Sequence, residues 1–379
     1  MKICIAPAPF KESLGAADAA EAIAEGCRRA CPGCECVLVP MADGGEGTVD
    51  AMVHATGGRL ASARVTGPMG EPVDAAFGIL GGGDAAVIEM AAASGLPLVP
   101  REKRNPLLAT TFGTGELIRA ALDAGARRII VGIGGSATVD GGAGMAQALG
   151  IGLLDASGRP IPRGGGGLAQ LAAVDLSGRD ARIVGVTIEV ACDVDSPLTG
   201  PQGAAAVYGP QKGATPEMVE QLDRNLAHLA AVIRRDVRLD IEHLPGAGAA
   251  GGLGAGLVAF LGARLRPGAR IVMESVGLEG KMAGCDLALT GEGRIDGQTL
   301  RGKAPAAVAA VARKLTVPVV ALAGSIGVDR APLHQAGFGA VFSIADGPLS
   351  LADAMRDSRR LIAGAAEEAV RLFLLGRGA

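Results

Sequence analysis

Aromatic side chains are nearly absent from this sequence: its 379 residues include no Trp, one Tyr and seven Phe. Proteins that bind nucleic acids stack bases on aromatic rings and hold the backbone with a basic surface. The net charge here is −3, so the basic surface is missing as well. We therefore expect no nucleic-acid partner.

The sequence also lacks a run of about 18 apolar residues free of charge, the length that a membrane-spanning helix needs. Hydrophobic residues make up 49% of the chain, but they are interleaved with glycine. Pro7, Pro9 and Lys11 interrupt the N-terminal segment before the apolar part of a signal peptide could form. These features predict a soluble, cytoplasmic protein without a membrane partner.

Cysteine and histidine occur without the spacing of a metal site. The seven Cys are an odd number in a chain with no predicted signal peptide, which favours reduced thiols. Cys31, Cys34 and Cys36 have neither a second Cys pair nor a nearby His, so we interpret them as structural. The four His are scattered and receive the same interpretation.

The order of predicted elements indicates two domains, as the chain length does. Residues 1–59 supply two predicted strands and residues 284–379 supply three, each followed by a helix. Together they predict a flavodoxin-like α/β domain: a doubly wound parallel sheet with strand order 2-1-3-4-5. Residues 60–283 begin with a hairpin over 63–80 and then mix strands with helices, which predicts a large inserted α+β domain. Further expected elements are strands at 187–195 and 285–291 and helices at 251–265 and 351–374.

Charged residues crowd the loops that follow the predicted strands of the first domain. Ligands of open α/β sheets bind at this edge, where the strand order reverses. Lys and Arg neutralise phosphate oxygens, carboxylates hold Mg²⁺ and glycine lets backbone N–H groups approach, so the set suits phosphoryl transfer. Each acid taken alone could instead cap a helix or lie in a polar turn. The charged residues at this edge are Lys11, Asp43, Glu46, Glu292, Arg294, Asp296 and Lys303.

Residues 297–304 nearly match a P-loop, but Ala304 stands where the pattern needs a hydroxyl that binds Mg²⁺. We therefore do not interpret the segment as a P-loop. Lys303 still opens a predicted helix with Pro305 in its first turn, and a helix N-terminus attracts phosphate.

A second glycine loop, Gly134–Thr138, follows a predicted buried strand, and Asp140 opens the next predicted helix. The context suits a cradle for nucleotide phosphates. The same loop matches a dinucleotide fingerprint, although 60 glycines make chance matches common, so an NAD-dependent oxidoreductase remains an alternative.

Two acids and a lysine in the predicted insert are further candidates. Asp193 and Asp195 alternate on a predicted strand, so they would face one side and could share a metal, or one could act as a base. Lys212 lies in a Gly-Pro-Gln-Lys-Gly loop and is one of seven lysines beside twenty-nine arginines.

Eight segments together resemble the bacterial glycerate kinase family. They extend over almost the whole chain, in order, which makes the resemblance specific. The segments are Phe10–Leu14, Ala42–Thr48, Ile88–Ala91, Gly134–Thr138, Ala191–Leu198, Gly209–Ala214, Gly246–Gly254 and Gly291–Asp296.

The resemblance implies ATP-dependent phosphorylation of D-glycerate, to 2-phosphoglycerate by preference, with Mg²⁺ as cofactor. It also implies that the inserted domain has a restriction-endonuclease-like topology. We expect a cleft between the two domains to hold the substrate and the protein to be a monomer or homodimer. A catalytically impaired nucleotide-binding homologue is a further alternative, because Ala8 and Pro9 stand where the family usually has Asp and Ser. Val139 stands where the family often has Asn.

These considerations assign each candidate residue a role. The expected catalytic residues are Asp193, Lys11 and Arg294. The expected substrate-binding residues are Asp43, Gly44, Gly45, Glu46 and Lys212. The expected nucleotide-binding residues are Gly134, Gly135, Ser136, Thr138, Asp140 and Lys303. The expected metal ligands are Glu292, Asp296 and Asp195.

Overall fold

Thirteen β-strands and fourteen α-helices form within residues 1–378, the part of the chain that the computed structural model describes. The strands are β1 (Lys2–Ile5), β2 (Glu35–Leu38), β3 (Arg59–Thr66), β4 (Pro72–Ile79), β5 (Ala85–Glu89), β6 (Arg128–Gly132), β7 (Gly152–Leu154), β8 (Ala173–Asp175), β9 (Thr187–Ala191), β10 (Arg264–Arg266), β11 (Leu287–Ile295), β12 (Val319–Ile326) and β13 (Ala340–Ser343). The α-helices are α1 (Ala16–Ala30), α2 (Thr48–Thr56), α3 (Ala91–Ser94), α4 (Phe112–Asp123), α5 (Ala143–Ala148), α6 (Ala204–Tyr208), α7 (Pro216–Asp236), α8 (Leu253–Leu261), α9 (Gly268–Val276), α10 (Leu278–Met282), α11 (Ala304–Lys314), α12 (Arg330–Gln335), α13 (Leu351–Arg356) and α14 (Ser358–Gly376).

The chain divides into two compact units. Unit 1 comprises Met1–Asp43, Asp50–Gly57 and the chain from Ala269 onward, and unit 2 comprises Gly44–Val49 and Gly58–Gly268. Unit 1 resumes at Ala269, earlier than the expected residue 284. The residues before 284 belong to unit 1 because α10 packs against β1, and because the Lys281 ammonium donates a hydrogen bond to the carbonyl of Ala55. A short piece of the loop after β2 belongs to unit 2 rather than unit 1.

Unit 1 contains a five-stranded sheet in the order β2-β1-β11-β12-β13, and every neighbouring pair is parallel. Numbered within the unit this order is 2-1-3-4-5, so the predicted doubly wound α/β fold is confirmed. Ile3, Ile5 and Leu289 turn to one face of the sheet and bury themselves against α1 and α14. Alternating side chains on a strand point to opposite faces, so Cys4 turns to the other face, where α10 packs.

Unit 2 contains a six-stranded mixed sheet in the order β10-β9-β6-β5-β4-β3. The hairpin β3–β4 pairs antiparallel with full register from Arg59 opposite Ile79 to Thr66 opposite Pro72, as the alternating pattern of 63–80 predicts. Strands β5, β6, β9 and β10 are mutually parallel, so their carboxyl ends meet at one edge. The strands β7 and β8 form a separate small hairpin.

Two strands end at places other than those the sequence predicts. Strand β11 continues to Ile295 instead of residue 291, because β12 is long enough to pair with it as far as Ile295 opposite Ile326. Glu292 and Arg294 therefore lie on a strand and not in a loop. Strand β9 ends at Ala191, so Asp193 and Asp195 lie in the coil beyond it and the argument from strand alternation does not apply to them.

Two helices differ from expectation because the backbone breaks them. The segment expected as one helix over 251–265 becomes α-helical only at Leu253, since Gly251 and Gly252 have positive φ angles. The α-helix ends at Leu261 and is followed by β10. The helix expected over 351–374 is interrupted at Asp357. Among residues 1–378, we find no helix of the length and apolar character that a membrane crossing requires.

Candidate active site

Unit 1 gathers acidic groups at the carboxyl end of β11. The Glu292 carboxylate accepts a hydrogen bond of 2.6 Å from the Thr299 hydroxyl, and the same hydroxyl oxygen accepts one of 3.1 Å from the Asp296 N–H. The N–H of Gln298 donates to Asp296 Oδ1 at 2.8 Å. The turn after β11 is thus fixed by its own polar side chains.

Burial raises the pKa of Glu292 above its usual value of 4.5, and the charges of Asp296 and Asp43 raise it further. The Thr299 hydrogen bond and the Lys303 ammonium act in the opposite direction. A partly buried carboxyl that feels the charges of two other carboxylates is a place where a bound cation relieves repulsion. The structure thus brings together four residues that the sequence singled out: Asp43, Glu292, Asp296 and Lys303.

Arg294 and Lys11 are two exposed cations of unit 1 near this turn. The side chain of Arg294 is 68% exposed and its Nε lies 3.5 Å from Asp296 Oδ2. Lys11 follows Phe10, whose backbone lies close to Gly293. A cavity of about 750 Å³ opens at the end of β12, lined by Ile326–Asp329 and Pro332. Gly327 in this lining lies against the guanidinium of Arg294.

Unit 2 builds its candidate site at the shared edge of β5, β6 and β9. Gly44 lies against this edge with a φ angle of +90°, and a Cβ on it would lie 2.4 Å from the Cβ of Ala191. A Cβ on Gly132 would lie 2.6 Å from the Gly44 carbonyl oxygen. Only glycine permits this approach, which brings Gly45 next to Gly134. Glu46, the next residue, is exposed.

Glu89 is a residue of this edge that lies in the segment Ile88–Ala91 but has no role among the expected site residues. It ends β5, and its Oε1 accepts a hydrogen bond of 2.8 Å from the N–H of Val49. The carboxylate therefore holds the first turn of α2 and the Gly44–Thr48 loop in place. The sequence could have indicated Glu89 as a site residue, because it ends a predicted buried strand. Ligands of parallel sheets bind at the carboxyl ends of the strands.

The loop after β6 presents backbone N–H groups without acceptors. Gly134 and Gly135 are exposed, and nothing within residues 1–378 accepts a hydrogen bond from the N–H groups of Gly134, Gly135 or Ser136. The loop itself is held by other bonds, from Leu96 N to Gly135 O and from Ala137 N to Ser94 O, both 2.9 Å. Consecutive free N–H groups in a glycine turn form an anion-binding concavity. We call Gly134–Ser136 the anion nest.

Lys212 lies under the anion nest and is only 1% exposed. It ends the short 3-10 helix Pro210–Lys212, and its Nζ donates to Ser136 Oγ at 2.6 Å and to the Thr138 carbonyl oxygen at 2.7 Å. Burial lowers the pKa of Lys212 to about 7, against the attraction of Asp140. The residue that was expected to bind substrate directly thus supports the loop from beneath.

Asp140 is fully buried, and its carboxylate accepts four hydrogen bonds, three of them from backbone N–H groups. Its Oδ2 accepts hydrogen bonds from the N–H and hydroxyl of Thr111, at 2.8 and 2.9 Å, and from Gly144 N–H at 3.2 Å. Its Oδ1 accepts one from Gly142 N–H. Burial raises its pKa, which these bonds partly oppose. The geometry gives Asp140 a structural role at the base of the loop, and not the contact with nucleotide that the sequence suggested.

Asp193 and Asp195 are both exposed in the coil after β9. Asp193 Oδ1 accepts a hydrogen bond of 2.9 Å from the N–H of Gly268. Within the described residues 1–378, no three or more His, Cys, Asp or Glu side chains are arranged as a metal site. The expected ligands therefore do not form a dedicated metal cage. Mg²⁺ in phosphoryl-transfer sites usually needs only one or two carboxylates and takes further ligands from phosphate and water.

Clustered carboxylates with a lysine at one sheet edge, and open N–H donors at another, are features of enzymes that transfer phosphoryl groups. The comparisons with known proteins place the chain within that class. A family model described as the glycerate kinase family matches residues 3–374. The chain therefore belongs to the glycerate kinase family and is a kinase.

Individual relatives agree with the family. The chain is 55% identical to a glycerate kinase of Bacillus subtilis (strain 168), over 99% of this chain and 100% of that protein. It is 52% identical to a glycerate 2-kinase of Escherichia coli (strain K12), over 99% of each. A crystal structure from Salmonella typhimurium LT2, assigned as glycerate kinase 2, superposes with a TM-score of 0.92 at 51% identity and covers 100% of both chains. These comparisons give no support to the oxidoreductase or to the impaired homologue.

Proposed function

We propose that this protein transfers the γ-phosphoryl group of ATP to D-glycerate, at the 2-hydroxyl. Membership of the glycerate kinase family supports the reaction, and the glycerate 2-kinase of Escherichia coli supports the position. The observation that carries the proposal within the structure is the anion nest, whose three N–H groups have no acceptor in the described chain. Phosphoryl transfer depends mainly on such placement of donors around phosphate oxygens.

The nucleotide phosphates are assigned to the anion nest, with Thr138 at its end. Lys303, at the start of α11 in unit 1, is a separate candidate for binding phosphate. Thr138 Oγ1 is buried and has no hydrogen-bond partner in residues 1–378, so the loop retains unused polar capacity. Lys303 precedes the first turn of α11, where the helix N-terminus adds favourable potential for an anion.

Glu292 and Asp296 are the residues we assign to Mg²⁺, with Asp43 close by. The fit rests on the partial burial of Glu292, which raises its pKa, and on the charges of Asp296 and Asp43, which raise the pKa further. When bound, Mg²⁺ neutralises charge on the phosphate oxygens. We do not assign Asp195 to Mg²⁺, because it is exposed and lies in the coil after β9. The expectation that it shares one face of a strand with Asp193 therefore does not hold.

Arg294 and Lys11 are the residues we assign to the glycerate carboxylate, and Asp193 to the proton of its hydroxyl. Arg294 is exposed enough to exchange its 3.5 Å contact with Asp296 for a substrate carboxylate. Asp193 is exposed and oriented through one oxygen by Gly268. We also assign three neighbouring residues to substrate binding, because they lie beside the loop after β6: Gly44, Gly45 and Glu46. That all these residues act on one substrate stays a prediction.

The test is the rate of ADP formation with D-glycerate, ATP and Mg²⁺, in the wild type and in two arginine variants. Arg294→Ala should lower kcat/KM for glycerate roughly 100-fold or more, because it removes a charge-assisted contact to an anion. Arg270→Ala is a matched control, since Arg270 is equally 68% exposed and is paired with Glu274 at 3.1 Å. Equal activity of both variants would remove Arg294 from the site, and no glycerate-dependent ADP formation in the wild type would contradict the function.

A further inference from the structure

The Ser136 hydroxyl accepts a hydrogen bond from Lys212, and it donates to no acceptor within residues 1–378. Ser136 is 6% exposed, and the bond of 2.6 Å from Lys212 Nζ is its one side-chain hydrogen bond within residues 1–378. An ammonium carries donors only, so Ser136 Oγ must accept in this bond. The hydroxyl hydrogen of Ser136 can then be donated to a different group. A hydroxyl that already accepts a hydrogen bond from a cation is also a stronger donor.

We propose that Lys212 is a positioning residue that turns the Ser136 hydroxyl into a donor for a phosphoryl group in the anion nest, so that phosphoryl binding and protonation of Lys212 are linked. This inference rests on the proposed function, because it assigns the nest to nucleotide phosphate. The second bond from Lys212, to the Thr138 carbonyl, fixes the far end of the same loop. One buried ammonium thus controls both the shape of the loop and the direction of its hydroxyl.

Loss of the proton from Lys212 allows the hydrogen bond between Lys212 and Ser136 to reverse its direction. A neutral amine can accept a hydrogen bond, so the Ser136 hydroxyl can then donate inward to Nζ and is lost to a ligand. Burial places the pKa of Lys212 at about 7, so this change falls near neutral pH. Lys212 is protonated below that value and neutral above it, and a bound anion raises the pKa.

The charged groups around Lys212 are few. Asp140 is the group whose field acts on it and favours the ammonium, although its carboxylate is engaged by Thr111, Gly142 and Gly144. On the other side, the Arg104 guanidinium donates to the carbonyl of Gln211, next to Lys212. A phosphoryl group in the nest adds negative charge on the Ser136 side. Ligand binding at a pH above 7 should therefore take up a proton.

The experiment measures proton uptake on ADP binding by titration calorimetry in buffers of different ionisation enthalpy, with Mg²⁺ present. At about pH 8 the wild type should take up about one more proton than Lys212→Met, because the titration of ADP itself cancels in this difference. Wild-type affinity for ADP should fall roughly tenfold between about pH 6.5 and pH 8.5, and the variant should lose this dependence. Lys103→Met, a change of an exposed lysine in unit 2, should behave as the wild type.

Ser136→Ala provides a second test, in case Lys212→Met does not fold, because it retains the buried ammonium and its bond to the Thr138 carbonyl. It should weaken ADP binding roughly fivefold near pH 7, as expected for the loss of one hydrogen bond, and flatten the pH dependence. Titration with D-glycerate alone should show no proton uptake. Uptake with glycerate but not ADP would assign the nest to a carboxylate and overturn the proposal, as would equal proton uptake in wild type and Lys212→Met. Absence of ADP binding to the wild type would instead contradict the proposed nucleotide site itself.

Discussion

Glu292 illustrates how burial changes what a single charged residue can do. It is held by the Thr299 hydroxyl, and Asp43, Asp296 and Lys303 lie near enough to alter its pKa. Replacement by Gln keeps the shape and the hydrogen bond but removes one negative charge. We expect Glu292→Gln to raise the KM for Mg²⁺ roughly 10–100-fold, measured by ADP formation at saturating ATP and glycerate.

The control for this change is Glu279→Gln, which removes an exposed carboxylate paired with Lys314 at 2.6 Å. It should leave the Mg²⁺ dependence unchanged, since surface ion pairs contribute little. A Glu292→Gln variant with the Mg²⁺ dependence of the wild type would mean that the acidic cluster of unit 1 does not hold the metal.

Ala8 and Pro9 permit a gain-of-function test at the same scale. Ala8 is 6% exposed and its N–H donates to the Gly291 carbonyl at 2.8 Å, so position 8 runs beside the residue preceding Glu292. An Asp there adds a carboxylate beside the strand that carries Glu292. We expect the double change Ala8→Asp with Pro9→Ser to raise kcat/KM for glycerate about tenfold, equivalent to ~1.4 kcal/mol.

Ala8→Asn with Pro9→Ser is the matched control, because Asn has nearly the shape of Asp without its charge. It should give a much smaller gain. If both double variants keep the wild-type kcat/KM, the segment serves only as a backbone corner, for which Pro9 already fixes φ.

At the scale of elements, the Gly44 turn depends on the absence of a side chain. Gly44 and Gly47 both have positive φ angles, +90° and +84°, but a Cβ on Gly44 would collide with Ala191 whereas a Cβ on Gly47 meets nothing within 4 Å. Gly47→Ala should therefore cost about 1–2 kcal/mol from backbone strain alone. Gly44→Ala should lower the free energy of unfolding by more than this, measured by urea denaturation. Equal costs would show that β9 tolerates the added methyl group.

The elements also show what the sequence can and cannot predict. Short apolar runs separated by helical patterns predict the sheet of unit 1 correctly, because a parallel strand buried on both faces leaves little choice of residue. The end of β11 was not predictable, since Glu292 and Arg294 look like loop residues and are extended only through pairing with β12. The anion nest could be predicted from its glycines. The burial of Lys212 could not, because a lysine is usually exposed and only the tertiary fold places Ser136 above it.

At the scale of the whole molecule, the family assignment and the local chemistry agree. The match to the glycerate kinase family covers residues 3–374, which includes both units. The proposed roles draw on each unit: carboxylates and cations in unit 1, the anion nest with Lys212 in unit 2. We therefore expect one chemical outcome, the transfer of phosphate from ATP to the glycerate 2-hydroxyl.

A ³¹P spectrum of the reaction product is the most direct measurement of this outcome. The wild type is incubated with ATP, Mg²⁺ and D-glycerate, and the proton-coupled spectrum is recorded as ATP is consumed. A phosphate on the 2-oxygen is attached to a carbon with one hydrogen and gives a doublet, whereas a phosphate on the 3-oxygen is attached to a CH₂ group and gives a triplet. We expect ADP together with a phosphomonoester doublet. A triplet would contradict the 2-position, and inorganic phosphate as the sole new signal besides ADP would contradict the transfer to glycerate.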